Sequence, residues 1–210
     1  MIHLINYENR DLHADILDQM YAQRKTIFID KLGWDLSERN GLEIDEFDTD
    51  STIYLVGMDE RNETIRCSLR LNPTTQPHLM SEILSDYCAN GVPRGQDIYE
   101  ISRYCYNPNY MRPRDRFDAM KQMMCGVMEC SILYGWKNLT FVQHTAISSH
   151  CLACGWDMRP LGLPREDHGL IYAAFQINVT LEGLQAVRKN AGNIQPVLKI
   201  LPGVARVNAA

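Results

Sequence analysis

The sequence predicts a single α/β domain built on a mixed sheet. Three observations carry this expectation. Segments of strand composition alternate with segments of helical apolar spacing along the chain. A length of 210 residues suits one domain or at most two small ones. A composition 45% hydrophobic and 22% charged is that of an ordinary globular chain. No internal repeat, low-complexity segment or domain boundary interrupts it.

The elements follow in order. Residues 1–6 read as a short strand. Asn9 or Asp11 is expected to cap a helix running to about Ile29, with Leu12, Ile16, Leu17, Met20, Ile27 and Phe28 at apolar spacing. Residues 30–50 are acidic, contain Gly33 and Gly41 and lack sustained periodicity. They are read as a long loop anchored by Trp34, Ile44 and Phe47. Strands over 52–58 and 64–71, joined by a charged turn at 59–63, predict a hairpin. A short helix over 79–84 precedes a strand over 97–105. That strand is bounded by turns at Gly91-Val-Pro-Arg-Gly95 and Asn107-Pro108-Asn109. A long helix over 114–135, stopped by Gly135, presents Phe117, Met120, Met123, Met124, Val127, Met128 and Ile132 on one face. Its methionines suit core filling or the wall of an adaptable pocket. A strand over 139–142, a helix over 146–154 ending at Gly155, a strand over 170–179 and a helix from a Thr180 cap to about Asn190 complete the pattern. The tail, with Pro196, Pro202 and Gly203, is weakly patterned.

Composition also excludes several classes. No apolar run approaches the ~20 residues that span a bilayer. The first residues lack a basic segment followed by a long apolar run, so no secretion signal is expected. Seven scattered cysteines argue for a reduced, cytoplasmic chain rather than a disulfide scaffold. On that basis the glycosylation tripeptides at Asn62, Asn138 and Asn178 are taken as chance. The net charge of −5 divides unevenly, at −10 over residues 1–100 and +5 over 101–210. An acidic half suits a cationic ligand and a basic half an anionic partner. The dense Lys/Arg clustering of nucleic-acid binders is absent.

The strand over 97–105 holds the most informative residues. Glu100 and Ser102 are two apart and are expected on one face, with Arg103 on the other. Charges in the middle of an apolar strand are costly without partners. They read either as a structural ion pair or as a catalytic carboxylate with a binding arginine. Elsewhere, Cys151-Leu-Ala-Cys154 lacks the second ligand pair of a zinc site and lies at a helix C-terminus, where no dipole stabilises a thiolate. It is read as core packing, and no metal site is expected. No Gly-rich phosphate loop is present, and Ser102 lacks a Ser-His-Asp context.

Taken together, Arg24, Phe28, Trp34, Asp45, Asp48, Arg70, Glu100 and Arg103 form an ordered set. It resembles the pattern of the LuxI-type acyl-homoserine-lactone synthases. The resemblance rests on Arg24-x-x-x-Phe28, Trp34, Asp45-x-x-Asp48, Arg70-Leu-Asn-Pro-Thr-Thr75, Glu100-Ile-Ser-Arg103 and Gly155-Trp156, and spans most of the chain to about residue 160. Two departures stand out. Leu84 replaces a frequent phenylalanine, and Ser148-Ser-His-Cys-Leu-Ala-Cys154 lacks the Arg/Lys residues by which relatives are thought to dock acyl carrier protein.

The resemblance implies a single domain like the GNAT acetyltransferases, a mixed sheet flanked by helices with a cleft between splayed strands. It implies S-adenosylmethionine as a substrate, an acyl-CoA or acyl carrier protein as partner, and no tightly bound cofactor. Glu100 and Arg103 are the expected catalytic pair. Arg24, Phe28, Trp34, Asp45, Asp48, Arg70 and Ser102 are expected to bind S-adenosylmethionine. Met80, Leu84, Met123, Met124, Phe141 and Leu152 are expected to line an acyl pocket. Arg112, Arg114, Arg116, Lys121 and Lys137 are expected to meet an acidic carrier or the phosphates of coenzyme A. Aromatic faces suit a sulfonium cation, and a base suits an α-amine that titrates near ~8. An acyltransferase acting on a different amine, or a binding module without turnover, would share the fold.

Overall fold

The computed structural model describes residues 1–61, 63–107, 112–192 and 195–202. Asn62, Pro108, Asn109 and Gly203, named above, lie outside them. The chain runs β1 (Ile2–Ile5), α1 (Ala14–Arg24), β2 (Glu38–Arg39), β3 (Leu42–Glu43), β4 (Ile53–Met58), β5 (Ile65–Pro73), α2 (Leu79–Glu82) and β6 (Ile98–Tyr106). It continues through α3 (Pro113–Tyr134), β7 (Asn138–His144), α4 (Ser148–Ala153), β8 (Met158–Pro160), β9 (Arg165–Asp167), β10 (Leu170–Asn178), α5 (Leu181–Ala191) and β11 (Leu198–Ile200). The main sheet has the order β11-β1-β4-β5-β6-β7-β10-β8, with β9 also paired to β10. It is mixed, because β1 pairs β11 and β6 pairs β7 in parallel, while the other pairings are antiparallel. The expected mixed α/β sheet is therefore present.

Strand alternation separates two cores. On β5, Cys67, Leu69 and Leu71 face α3 and join Met123, Met124, Met128, Phe141 and Trp156 in the large core. On the opposite face, Tyr54, Val56 and Met58 of β4 pack on Leu17 and Met20 of α1. Ser68, Arg70 and Asn72 of β5 point to this second face and are buried there. The long helix ends as expected, with Gly135 in the left-handed region at φ 73°. The Thr180 hydroxyl caps α5 by accepting a hydrogen bond from the Gly183 amide at 2.9 Å.

Several expectations need correction. The first helix is shorter and composite. A 3₁₀ turn (Arg10–His13) precedes α1, and a π-helical segment (Lys25–Lys31) follows it. Asn9 caps nothing; its amide donates to the Leu4 and Leu201 carbonyls at 3.0 and 3.3 Å and ties the chain ends together. Leu12 faces solvent. Residues 30–50 are not entirely loop, since β2 and β3 form a small hairpin. Its turn is Asn40-Gly41 at φ 53° and 82°, the pair that two-residue hairpins prefer. Three short strands, β8, β9 and β11, go unforeseen in sequence because each is only three residues long. Asn138 and Asn178 are engaged with each other, through a 2.8 Å side-chain hydrogen bond across β7 and β10. No helix among the described residues is long and apolar enough to cross a membrane.

The edge strand β11 is held by a buried carboxylate. Glu129 of α3 accepts from the Val197 and Leu198 amides at 2.9 and 2.8 Å and from Arg188 of α5 at 2.7 Å. Removing it leaves a cation and two amides unpaired, a change that costs about 3–5 kcal/mol at comparable sites. Glu129→Ala should abolish slow amide exchange at Val197 and Leu198 while β5 stays protected. Unchanged protection at those two amides would contradict this account.

Candidate active site

The first described contact between α1, the β3 segment and the central strands is a closed ring of charges. Arg24 ends α1 and bonds Glu43 at 2.5 Å and Asp48 at 2.8 Å. Arg103 of β6 bonds Glu43 at 3.0 Å and Asp45 at 2.8 Å. Arg70 of β5 reaches Asp45 at 2.5 Å and Asp48 at 3.1 Å. Each arginine thus touches two carboxylates and each carboxylate two arginines. All six side chains are nearly inaccessible to solvent. The three charges of each sign cancel, which is what allows them to stay buried.

Local backbone chemistry sets the ring. Asp45-x-x-Asp48 is a turn in which the Asp45 amide donates to Asp48 Oδ2 and the Phe47 amide donates to Asp45 Oδ1, both at 2.9 Å. Beneath it, the Tyr54 hydroxyl donates to Asp48 at 2.9 Å and receives the Tyr21 hydroxyl at 2.8 Å. Arg70 Nε donates to the Ser102 hydroxyl at 3.0 Å. Arg70 Nη2 is buried without a partner among the described residues.

The face expected for Arg103 is overturned. Between Arg70↔Ser102 and Ser68↔Cys105, β6 carries one residue more than β5. Arg103 occupies this bulge at φ 53°. A bulge sets two consecutive side chains on one face. Ser102 and Arg103 therefore both turn toward the ring, and Tyr104 turns to the α3 core. The arginine's donors go to Glu43 and Asp45, and its guanidinium sits 5.5 Å from the Phe28 ring centre. Phe28 stacks on Trp34 at 5.2 Å, and Trp34 remains 37% exposed.

Glu100 lies at the root of a cleft. β6 and β7 pair only as far as Glu100↔Thr140. Beyond that point each strand follows its other neighbour, and the two splay apart. Glu100 is buried, with Oε1 accepting from the Met80 amide at 2.6 Å and Oε2 from the Leu79 amide at 3.2 Å. Burial raises its carboxyl to about 7, against the opposing pull of those amides and of Arg70 and Arg103. The ring carboxylates move the other way. Burial alone would raise Glu43 and Asp48, but the charge and hydrogen bonds of Arg24, with Arg103 for Glu43 and Arg70 for Asp48, hold both below the usual carboxylate range.

The residues expected to line an acyl pocket separate into three environments. Met80 and Leu84 sit on the Glu100 face with Tyr87, Cys88, Val142 and Ala174. Met123, Met124 and Phe141 lie in the core under α3. Leu152 is 55% exposed and lines neither. Cys151 is the residue by which the short helix α4 packs, and the next position turns about 100° away from it. The cysteine pair is core packing, as expected, with both thiols buried. Arg112 is exposed beside Asp115 at 3.1 Å, and Lys137 pairs with Asp97 at 2.9 Å. Arg116 and Lys121 lie against Tyr106 and Phe117.

Glu43, Tyr21, Tyr54 and Thr140 escape the sequence reading. For Glu43 a signal existed, because Asn40-Gly41 predicts a hairpin that would carry Leu42 and Glu43 on a strand. Thr140 is wholly buried beside Glu100, with its hydroxyl unpartnered among the described residues.

The opposite shifts predict a stability maximum. Glu43 and Asp48 have depressed values, so their contribution exists above the ordinary carboxylate range near ~4 and is lost as pH falls through it. Glu100 is raised from 4.5 to about 7, so its contribution is complete below 4.5 and is lost as pH rises through about 7. Urea midpoints should fall on both sides of this window, and Glu100→Gln should remove the loss on the alkaline side. Glu43→Gln should cost about 3–5 kcal/mol, because Arg24 and Arg103 lose a shared counter-charge. A flat midpoint from pH 4 to 8 in the parent chain would refute the scheme.

Comparison with known proteins identifies the family. A family model described as autoinducer synthase matches residues 8–187. An isovaleryl-homoserine lactone synthase of Bradyrhizobium diazoefficiens is 30% identical over 215 residues, covering 99% of this chain and 94% of that protein. The structure of BjaI, a CoA-dependent acyl-homoserine lactone synthase with SAM and isopentyl-CoA, superposes with a TM-score of 0.86. The two are 27% identical over 97% of this chain and 93% of that one. An acyl-CoA N-acyltransferase from Pseudomonas aeruginosa shares the fold at a TM-score of 0.55 and 11% identity, over 84% of this chain and 97% of its own. With the ordered motif set and 180 matched residues behind it, this chain belongs to the autoinducer synthase family, the acyl-homoserine-lactone synthases.

Proposed function

We propose that this chain makes an N-acyl-homoserine lactone from S-adenosylmethionine and an acyl-coenzyme A, releasing methylthioadenosine and free coenzyme A. The observation that carries the reading is the charge ring, set beside the Phe28–Trp34 stack and leading to Glu100 at the cleft. Phe28 is stacked on Trp34 and lies near the Arg103 guanidinium, so the exposed surface of Trp34 is what greets the sulfonium. Such a contact contributes about 0.5–2 kcal/mol. The unpaired Arg70 Nη2 supplies a donor for the substrate carboxylate.

The α-amine attacks the thioester carbonyl. A C–N bond forms, the C–S bond breaks, and coenzyme A leaves as its thiol. Glu100 takes the amine proton, directly or through a water, and that proton ends on the departing sulfur. A carboxyl poised near 7 suits this task at neutral pH. The substrate carboxylate then attacks its own γ-carbon and expels methylthioadenosine. This second step needs no protein nucleophile, only a bent conformation held in place. Arg103 spends its donors on Glu43 and Asp45, so its part is to hold the ring rather than to touch substrate.

A coenzyme A donor is supported by three features. Helix α4 and its approach carry no Lys or Arg to dock an acidic carrier. Arg112 and Arg114 are exposed at the start of α3, where phosphates are favoured. BjaI, similar over nearly the whole chain, is CoA-dependent. The cytoplasm fits the same reading, since all seven cysteines are free and buried.

Purified protein should release methylthioadenosine from S-adenosylmethionine when given an acyl-CoA, and far more slowly with the same acyl group on a carrier protein. Acetyl transfer to another amine would release none, so an acylated amine without methylthioadenosine would sink the proposal. Glu100→Gln should lower kcat by roughly 10²–10⁴-fold. In the parent, kcat/KM should rise with pH through about 7 as the carboxylate forms, and that rise should vanish in the variant.

A further inference from the structure

Glu100 does more than sit at the root of the cleft: it caps α2 from β6. The first amides of a helix have no partner within it. Those of Leu79 and Met80 donate to Glu100, while those of Ser81 and Glu82 donate to the His78 carbonyl at 3.0 and 3.1 Å. His78 therefore stands at the corner that aims two amides at the carboxylate.

The His78 side chain is wholly buried. Its Nδ1 lies 2.8 Å from the Gln76 carbonyl oxygen, which can only accept, so Nδ1 carries the ring proton. The Ser81 hydroxyl lies 3.1 Å from the same nitrogen and accepts from the His78 amide at 3.1 Å. Gln76 is fixed in turn by Ser51, whose hydroxyl donates to its side chain at 2.7 Å. The far nitrogen, Nε2, has no partner among the described residues. A stranded buried acceptor is destabilising, and a leucine of similar size would avoid it. What the imidazole offers here that an apolar side chain lacks is the Nδ1–H. Burial holds the ring below its ordinary 6.5; Arg94 adds to this, and the Gln76 carbonyl and Glu82 oppose it.

We propose that His78 is a positioning residue for the reaction: its Nδ1–H pins the 76–78 turn, so that the Leu79 and Met80 amides stay on Glu100 and keep its carboxylate available as the base. This inference rests on the reading of Glu100 as the base and adds what sets its strength. Both amides favour the ionised form against burial, as do Arg70 on β5 and Arg103 on β6. Tyr87, Cys88 and Tyr172, which surround Met80, are raised by burial and stay neutral near pH 7. When the turn is unpinned the amides drift, and the Glu100 carboxyl climbs above about 7.

The test compares the parent with His78→Leu, His78→Gln and His78→Asn. An asparagine amide nitrogen takes the place of Nδ1. A glutamine amide nitrogen takes that of Nε2 and leaves the Gln76 carbonyl without its donor. Carbon-13 NMR of labelled glutamate carboxyls reads Glu100 without turnover, its signal being the one missing from Glu100→Gln. Methylthioadenosine release gives kcat/KM against pH. In the leucine and glutamine variants the Glu100 titration should rise by about one pH unit, the effect of one lost hydrogen bond to a carboxylate. At neutral pH kcat/KM should then fall about fivefold and recover in alkali. In the asparagine variant both midpoints should stay near those of the parent. If the leucine variant does not fold, the glutamine variant reads the same shift. A Glu100 titration unmoved in the folded variants overturns the proposal. So does an equal shift in the asparagine variant, which would assign the effect to loss of the ring rather than of its donor. A moved carboxyl titration with turnover indifferent to pH would retain His78 in its role and reject Glu100 as the base alone.

Discussion

Six charged side chains closed into a ring are the constraint on which the rest of this structure depends. Arg24, Glu43, Arg103, Asp45, Arg70 and Asp48 alternate in sign and are buried together. Such charges are tolerated away from water only when each has partners on both sides. The ring therefore ties the end of α1, the β3 segment and the two central strands into one arrangement. Most of its charge is spent internally, which leaves an exposed indole face at Trp34, one Arg70 nitrogen without a partner among the described residues and a Glu100 carboxyl raised to about 7.

The second determinant is backbone geometry. A single extra residue in β6 turns Arg103 to the same side as Ser102 and closes the ring. A few residues away, the parallel pairing of β6 with β7 stops and a cleft begins. Bulge and splay are neighbours on one strand. Glu100 and Arg103 are separated by that irregularity, and each has its own environment. Burial raises Glu100, whereas paired cations depress Glu43 and Asp48.

Much of this is legible in the sequence. The α3 face, its Gly135 stop, the β4–β5 hairpin, β10 and the Thr180 cap all follow from periodicity and local backbone preference. These signals are encoded within a few residues, so they survive reading in one dimension. The short strands β8, β9 and β11 carry too few residues for alternation to register, and they form only because a longer strand offers its edge. Asn40-Gly41 is a hairpin signal, and the hairpin it marks carries Glu43. The left-handed conformation of Arg103 had no such signal, since an arginine carries no preference for it.

Residue type and order were enough, by themselves, to name the ring's arginines and aspartates, Glu100 and the family pattern they compose. Those side chains stand out by their chemistry, as charges set among apolar residues or at fixed spacings. Only the tertiary structure decided that Glu43 completes the ring, that Arg103 serves it, that Leu152 faces water and that Met80 and Met123 belong to opposite faces of the sheet. Those outcomes depend on strand register and on which segments meet across the fold, and neither is written in the spacing of residues along one chain.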